Sequence, residues 1–336
     1  MGTLLLRGLL AAVIALGLGP VALATLRRAR VMDYPSERSS HTAPMLRGGG
    51  VAPAAAMLLA LAVTPGIDGR QRVAIAAAAT TFGFVGLTED LVGIDALTRL
   101  AVQFAAAVGT SFLLLAHLTG PDLWRAAFAF GVVVWLVAFV NAYNFMDGIN
   151  GISVVQAVCA GGAWFFVGSL AGSRALAAGG AVVAGAALGF GPYNVPKARM
   201  FLGDAGSYFI GAWLAAVAVL GLRASVAPEA VLAPLALYAA DTGATLLRRA
   251  GRGERWYHPH RDHAYQRLAD GGWSHVRTSA FVGACIAACA ALGAVSLTGS
   301  IPARAVADAA IAGVVGGYLL APGRPAGRQQ RLRVAR

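Results

Sequence analysis

The sequence predicts an all-α integral membrane protein of about eleven transmembrane helices, and three observations carry that prediction. Its 336 residues are 58% hydrophobic and 12% charged, with a mean hydropathy of +0.67; a water-soluble domain carries about twice that share of charge. Apolar runs such as Leu100 to Leu118 and Ala205 to Leu222 are long enough, at about 1.5 Å per residue, to cross a hydrocarbon core of roughly 30 Å. Alternation of apolar and polar residues at strand period is missing, so the spans are helices. The 43 glycines among sparse aromatics predict helices that approach closely through small residues.

Hydropathy over a window of roughly 19 residues places the spans near 4–25, 49–66, 72–88, 99–118, 125–143, 151–170, 174–192, 205–222, 229–247, 277–297 and 304–321. The first has the outline of a signal peptide, but Arg27, Arg28 and Arg30 follow it at once and predict a retained anchor. Connections 26–48, 89–98, 144–150, 193–204, 248–276 and a flexible basic tail, 322–336, fall on one side. The other side holds only short links. About twenty of the 27 Lys and Arg residues lie on the first side and about seven on the second, which predicts that the first is cytoplasmic. The N-terminus is then outside and the C-terminus cytoplasmic. No repeat or long linker divides the chain, so residues 1–336 read as a single polytopic domain. The net charge of +12 is spread over short loops rather than one soluble face, which argues against nucleic acid as a partner. Cys159, Cys285 and Cys289 lie in apolar runs without metal-ligand spacing and read as buried hydrophobes.

The chemistry is concentrated in the polar loops. The first carries Arg38, Ser39, His41 and Arg47 before a glycine triplet, 48–50. Such a loop either brings guanidinium forks and backbone amides to a phosphate or fixes topology as a stop-transfer segment. The second places Glu89 and Asp90 at the end of the third span, with Arg99 and Gln103 on the next helix. Adjacent carboxylates at a membrane boundary suit Mg²⁺ or form an ordinary solvated loop. In the third, Asn141, Asn144 and Asp147 recur at helical spacing before glycines. Three polar groups on one edge of an apolar span favour a site over packing. The fourth holds Asn194, Lys197 and Arg199, then Asp204 just before an apolar run; Asp204 reads as a helix cap or as an anion and metal site. The fifth runs from Asp241 to Arg267 and includes His258, His260, Arg261 and His263. Arginines amid the histidines, with no Cys and no HExxH, favour pyrophosphate binding over zinc.

Four of these segments, RSSHxxPxxRGGG at 38–50, NxxNxxDGxxG at 141–151, FxGDxGS at 201–207 and HRxHxYQRL at 260–268, occur in this order. Together they resemble the polyprenyl-phosphate N-acetylhexosamine-1-phosphate transferases, glycosyltransferase family 4, from Asp33 to Leu268. The first and last look most like the branch that initiates O-antigen or capsule chains with fucosamine-type or related sugars. The resemblance implies an enzyme at the cytoplasmic face of the bacterial inner membrane that transfers N-acetylhexosamine-1-phosphate from a UDP-sugar to undecaprenyl phosphate and releases UMP. Mg²⁺ is the implied cofactor, with Mn²⁺ as a substitute, and a homodimer stays open. Carried over position by position, Asp90, Asp147 and Asp204 are the implied catalytic acids. Asp90 would orient the acceptor phosphate, and Asp204, Asp147 and Glu89 would hold the metal. Arg38, Ser39, His41, Arg47, Arg99, Asn141, Asn144, Asn194, His260, Arg261 and His263 would bind substrate. Glu89 and Asn150 stand where the family usually has Asp. Alternatives are a phospho-MurNAc-pentapeptide transferase-like paralogue and a polyprenyl-lipid transporter without catalysis. A CDP-alcohol type synthase is disfavoured because its compact DG-AR-DxxD pattern is missing.

Overall fold

The computed structural model describes residues 1–35, 43–116, 118–254 and 260–323. Its helices follow in order: α1 (Gly2–Ala29), α2 (Val51–Ala62), α3 (Gly69–Val92), α4 (Ala96–Leu114), α5 (Asp122–Met146), α6 (Ile152–Leu170), α7 (Arg174–Asn194) and α8 (Gly203–Arg223). After them come α9 (Pro228–Leu232), α10 (Ala236–Gly251), α11 (Ala264–Asp270), α12 (His275–Ala294) and α13 (Ile301–Leu320). A 3₁₀ turn, Ala233–Leu235, joins α9 to α10 into one span. Two strands, β1 (Met32–Asp33) and β2 (Met45–Leu46), pair antiparallel with Met32 opposite Leu46.

Ten helices among the described residues are long and apolar enough to cross a membrane, one fewer than predicted. The exception is α2, whose 12 residues reach about 18 Å, short of a roughly 30 Å core. The chain nevertheless passes from one end of the bundle to the other along it. Gly50, before α2, packs on Gly206 at the start of α8. At its other end the carbonyls of Ala62 and Thr64 accept from the Arg72 guanidinium. Arg223 likewise takes the carbonyls of Leu114 and Ala116, and Arg304 pairs with Glu229 at 2.5 Å. These arginines serve carbonyls left open at helix C-termini and a carboxylate opposite the polar end. Several helix starts are specified locally: Asp68 caps α3, Asp95 caps α4 and Ser274 caps α12 through side-chain oxygens that accept first-turn amides.

The centre of the bundle is α8, buried from Ala205 to Gly221 and packed against α3, α5 and α7. Indoles tie neighbouring helices to backbone carbonyls: Trp213 donates to Gly179 (3.0 Å), Trp164 to Val231 (2.9 Å) and Trp135 to Ala215 (3.2 Å). The expected close approach through small residues is clearest where α1 crosses α7. There a Cβ on Gly185 would lie 1.9 Å from the Gly8 carbonyl oxygen. Gly185→Ala therefore forces two backbones apart and is expected to cost about 1–3 kcal/mol. Thermal unfolding in detergent checks this against Gly162→Ala, where an added Cβ meets nothing within 4 Å. Equal midpoints for the two variants would contradict the packing assigned to this crossing.

Candidate active site

The N-terminus of α8 is laid against the loop that precedes α2. Phe201 N–H donates to the Leu46 carbonyl, and the amides of Gly49 and Gly50 donate to the carbonyls of Phe201 and Leu202, all at 2.8 Å. A Cβ on Gly50 would fall 2.2 Å from the Gly206 Cα. The last two glycines thus allow backbone contact with α8, and their amides are spent there rather than offered to a phosphate. This contact brings Arg47 over the helix terminus. Its Nε lies 2.6 Å from Asp90 Oδ1 and its Nη2 2.8 Å from Asp204 Oδ2.

Asp90 lies behind the α8 terminus. Its carboxylate accepts from Asp204 N–H (3.1 Å) and Ala205 N–H (2.9 Å), and its side chain is 2% exposed. It therefore caps α8 and neutralises Arg47, and it is missing from the cavity wall beside it. Gly86, one turn earlier on α3, lets α3 come this close: a Cβ there would lie 2.2 Å from the Asp204 carbonyl oxygen.

From the other side α5 presents its polar edge. Asn144 Nδ2 donates to Asp204 Oδ1 (2.8 Å) and to Ser207 Oγ (2.9 Å), which fixes the Asp204 side chain between an amide and a guanidinium. Asp147 follows the last residue of α5 and accepts from Ser153 Oγ at 2.6 Å. Burial pushes its carboxyl up to about 7 against the Ser153 hydrogen bond, and Asp204 nearby adds to the rise. Asn141 donates to Gln103 Oε1 (2.6 Å) and to the Val137 carbonyl (2.8 Å). Asn194 spends its amide within the fold, accepting from Gly151 N–H (2.7 Å) and donating to the Met200 carbonyl (3.3 Å). Glu89 pairs with Arg99 at 3.1 Å and accepts from Ile94 N–H at 2.9 Å.

The histidine segment closes the site. His263 caps α11 in a reciprocal box with Gln266, and its ring centroid lies 5.0 Å from that of His260 and 6.0 Å from that of Phe145. Burial, then His263 and Arg249, lower His260 to about 4, so it is a neutral imidazole at pH 7, with Nδ1 buried and unpartnered. Arg261 pairs with Asp270 across α11 at 2.5 Å and does not line the cavity. Arg38, Ser39 and His41 lie outside the described residues.

These groups surround one cavity of about 750 Å³. Its polar wall includes Arg47, Glu89, Arg99, Asn141, Asn144, Asp147, Asn194, Asp204, His260 and His263. All five polar loops predicted to share a side contribute to it. Leu100, Trp135, Ala138, Ala239 and Leu246 form an apolar wall between α4, α5 and α10. Among the described residues no three His, Cys, Asp or Glu side chains form a metal-binding group. The three expected metal carboxylates are thus not gathered into one protein-made cage. Asp147 and Asp204 on a shared cavity fit the demand of Mg²⁺, which takes one or two carboxylates and completes its shell with water and substrate phosphate. Ser153 and His275 also belong to the site's framework and were not picked out from sequence: Ser153 lies six residues past Asp147, and the partner of His275 is Asn150 in the turn before α6.

Residues 72–222 match the family described as glycosyl transferase family 4. The chain is 32% identical to the decaprenyl-phosphate N-acetylglucosaminephosphotransferase of Mycobacterium tuberculosis over 82% of its own length and 78% of the relative's. It is 31% identical to the undecaprenyl-phosphate alpha-N-acetylglucosaminyl 1-phosphate transferase of Thermotoga maritima, over 40% of this chain and 41% of that protein. The phospho-N-acetylmuramoyl-pentapeptide-transferase of Geobacillus kaustophilus is 36% identical over 40% of this chain and 43% of its own.

Substitution at the two buried carboxylates is expected to shift stability in different directions. Asp90→Ala removes a helix cap and a partner of Arg47, and is expected to lower stability by about 1–3 kcal/mol. For Asp147, a folded-state value near 7 against 3.8 means that the ionised form costs stability, increasingly so as pH rises from 4 to 7. Asp147→Asn, without added divalent cations, is therefore expected to raise the unfolding midpoint at pH 8. That gain shrinks as pH falls below 7; midpoints across pH 5 to 8 check both, and a pH-independent gain contradicts the second.

Proposed function

The chain belongs to glycosyl transferase family 4 and is a multi-pass membrane glycosyl-1-phosphate transferase, and from this we propose that it moves N-acetylhexosamine-1-phosphate from a UDP-sugar to a polyprenyl phosphate. Undecaprenyl phosphate is the acceptor proposed, UMP the second product, and the starting step of an O-antigen, capsule or other envelope glycan the setting. The observation that carries the reading is the single cavity in which Asp147, Asp204, Arg47 and Asn144 meet an apolar wall of Leu100, Trp135 and Ala138. A phosphate with a long hydrocarbon tail and a water-soluble nucleotide sugar need such a junction. The Lys and Arg bias of the loops around this end supports a cytoplasmic site in the inner membrane.

In the proposed reaction an oxygen of the lipid phosphate attacks the β-phosphorus of the UDP-sugar. A new P–O bond forms while the bond from the β-phosphorus to the bridging oxygen breaks, and UMP leaves with that oxygen and its electron pair. No protein base is required for the attack, because a phosphate monoester with a second pKa near 6 is already ionised at pH 7. Arg47, held over the α8 terminus by Asp90 and Asp204, fixes the Asp204 carboxylate on the cavity. Asn144 keeps Asp204 oriented, and His260 offers a neutral hydrogen-bonding group to the donor. Asp204 and Asp147 would hold Mg²⁺, which when bound neutralises charge developing on the transferred phosphoryl group. Asn150, which lines the cavity and donates to the Pro196 carbonyl (3.3 Å), is proposed to be as serviceable as Asp there.

Purified protein supplied with undecaprenyl phosphate, Mg²⁺ and a panel of UDP-N-acetylhexosamines is expected to release UMP only when the lipid is present. Chelation abolishes release, and Asp204→Ala lowers it by about 10²-fold or more. Folded protein that releases nothing from any donor would favour a lipid transporter.

The apparent affinity for Mg²⁺ is expected to tighten as pH rises from 6 to 8, because Asp147 must lose its proton to serve as a ligand. Asp147→Asn weakens binding and flattens that dependence; a titration of Mn²⁺ followed by electron paramagnetic resonance reads both.

A further inference from the structure

Asp241 is a carboxylate in α10 with no exposed surface, and the transfer chemistry does not use it. Its Oδ1 accepts from Ala264 N–H (3.1 Å) and Thr245 Oγ1 (3.2 Å) and lies 3.4 Å from His263 Nδ1. Its Oδ2 accepts from Ala264 N–H (3.0 Å) and from the Tyr318 hydroxyl at 2.6 Å. Burying a carboxylate at the end of a membrane bundle is costly unless donors converge on it, and here three do, from α10, α11 and α13, with the His263 ring beside them. The last donor is the informative one. Along its 20 residues α13 buries only Ala307 and Tyr318, so this peripheral helix is anchored near the site by a tyrosine that directs its hydroxyl at Asp241. Packing alone would be served by Phe.

The carboxylate holds the first turn of α11, and that turn touches the catalytic end of α5. Tyr265 OH donates to the Phe145 carbonyl at 2.8 Å, two residues before Asp147. A Cβ on Gly148 would lie 2.2 Å from the same hydroxyl oxygen. His260, His263, Tyr265 and Gln266 all line the cavity. We propose that Asp241 and Tyr318 are positioning residues: through one shared carboxylate they hold the His260–Gln266 segment against the cavity and so set the affinity for the nucleotide sugar. Neither touches the reacting atoms. The effect falls on the donor because the segment packs on the Asp147–Gly148 turn rather than on the apolar wall. A displacement of about 1 Å in such a support is enough to weaken a bound ligand's contacts substantially.

This inference rests on the cavity being the donor site, so its test has two arms. In the first, amide hydrogen exchange is measured on the substrate-free protein for wild type, Tyr318→Phe and Asp241→Asn. Exchange across 264–268 is expected to quicken about tenfold in Tyr318→Phe and more in Asp241→Asn. In the second, Tyr318→Phe is expected to raise the KM for the nucleotide sugar about five- to tenfold, with kcat and the KM for polyprenyl phosphate within about twofold of wild type. Unchanged exchange in both variants would overturn the hub, and a fall in kcat with the donor KM unchanged would overturn the positioning role. If wild type consumes no nucleotide sugar, the proposed function fails, while the exchange arm still decides whether the hub holds the segment.

Discussion

Asp90 accepts the first open amides of α8 while Arg47 lies between it and Asp204, and α3, the glycine loop and the start of α8 meet at that junction. A helix buried along nearly its whole length cannot turn its terminal amides to water, so its N-terminus needs a buried acceptor. Asp90 is that acceptor and brings α3 with it. Its charge in turn needs a partner, which selects Arg47 and draws the glycine loop onto residues 201–206. Capping and ion pairing thus deliver Asp204 to the cavity already oriented, with Asn144 closing the other side.

The cavity so formed has a marked electrostatic character. Asp147 is enclosed beside the Ser153 hydroxyl, and burial pushes its carboxyl up to about 7. Asp147 and the neutral imidazole of His260 line the same cavity. The apolar wall of α4, α5 and α10 adjoins the polar groups in this pocket, the separation that the proposed lipid phosphate needs. Asp241 repeats the logic at smaller scale, again spending a buried carboxylate on the start of a helix, here α11.

Much of this was legible in the sequence. Hydropathy located every helix that crosses the bundle, and the alternation of polar loops predicted which five would meet. The spacing of Asn141, Asn144 and Asp147 correctly placed a polar edge on α5. What failed did so because it depends on distant partners. α2 looks like a full span because apolar residues continue past Ala62 into a turn. The glycine triplet suggested a phosphate cradle, and only the proximity of residues 201–206 shows that two of its amides are spent. Asp90 and Arg261 carry the charges expected of site residues, and nothing local announces their partners, the α8 amides and Asp270. Asp241 opens the fifth polar segment, but nothing local ties it to Tyr318, 77 residues away.

The cavity at the α8 terminus is proposed as the place where the cation, the nucleotide and the lipid phosphate meet. Anomalous diffraction from crystals grown with Mn²⁺ and a UDP-N-acetylhexosamine tests it most directly. The account predicts one strong peak against the carboxylates of Asp204 and Asp147, with the diphosphate beside it. A peak elsewhere, or a nucleotide bound outside this cavity, would contradict it.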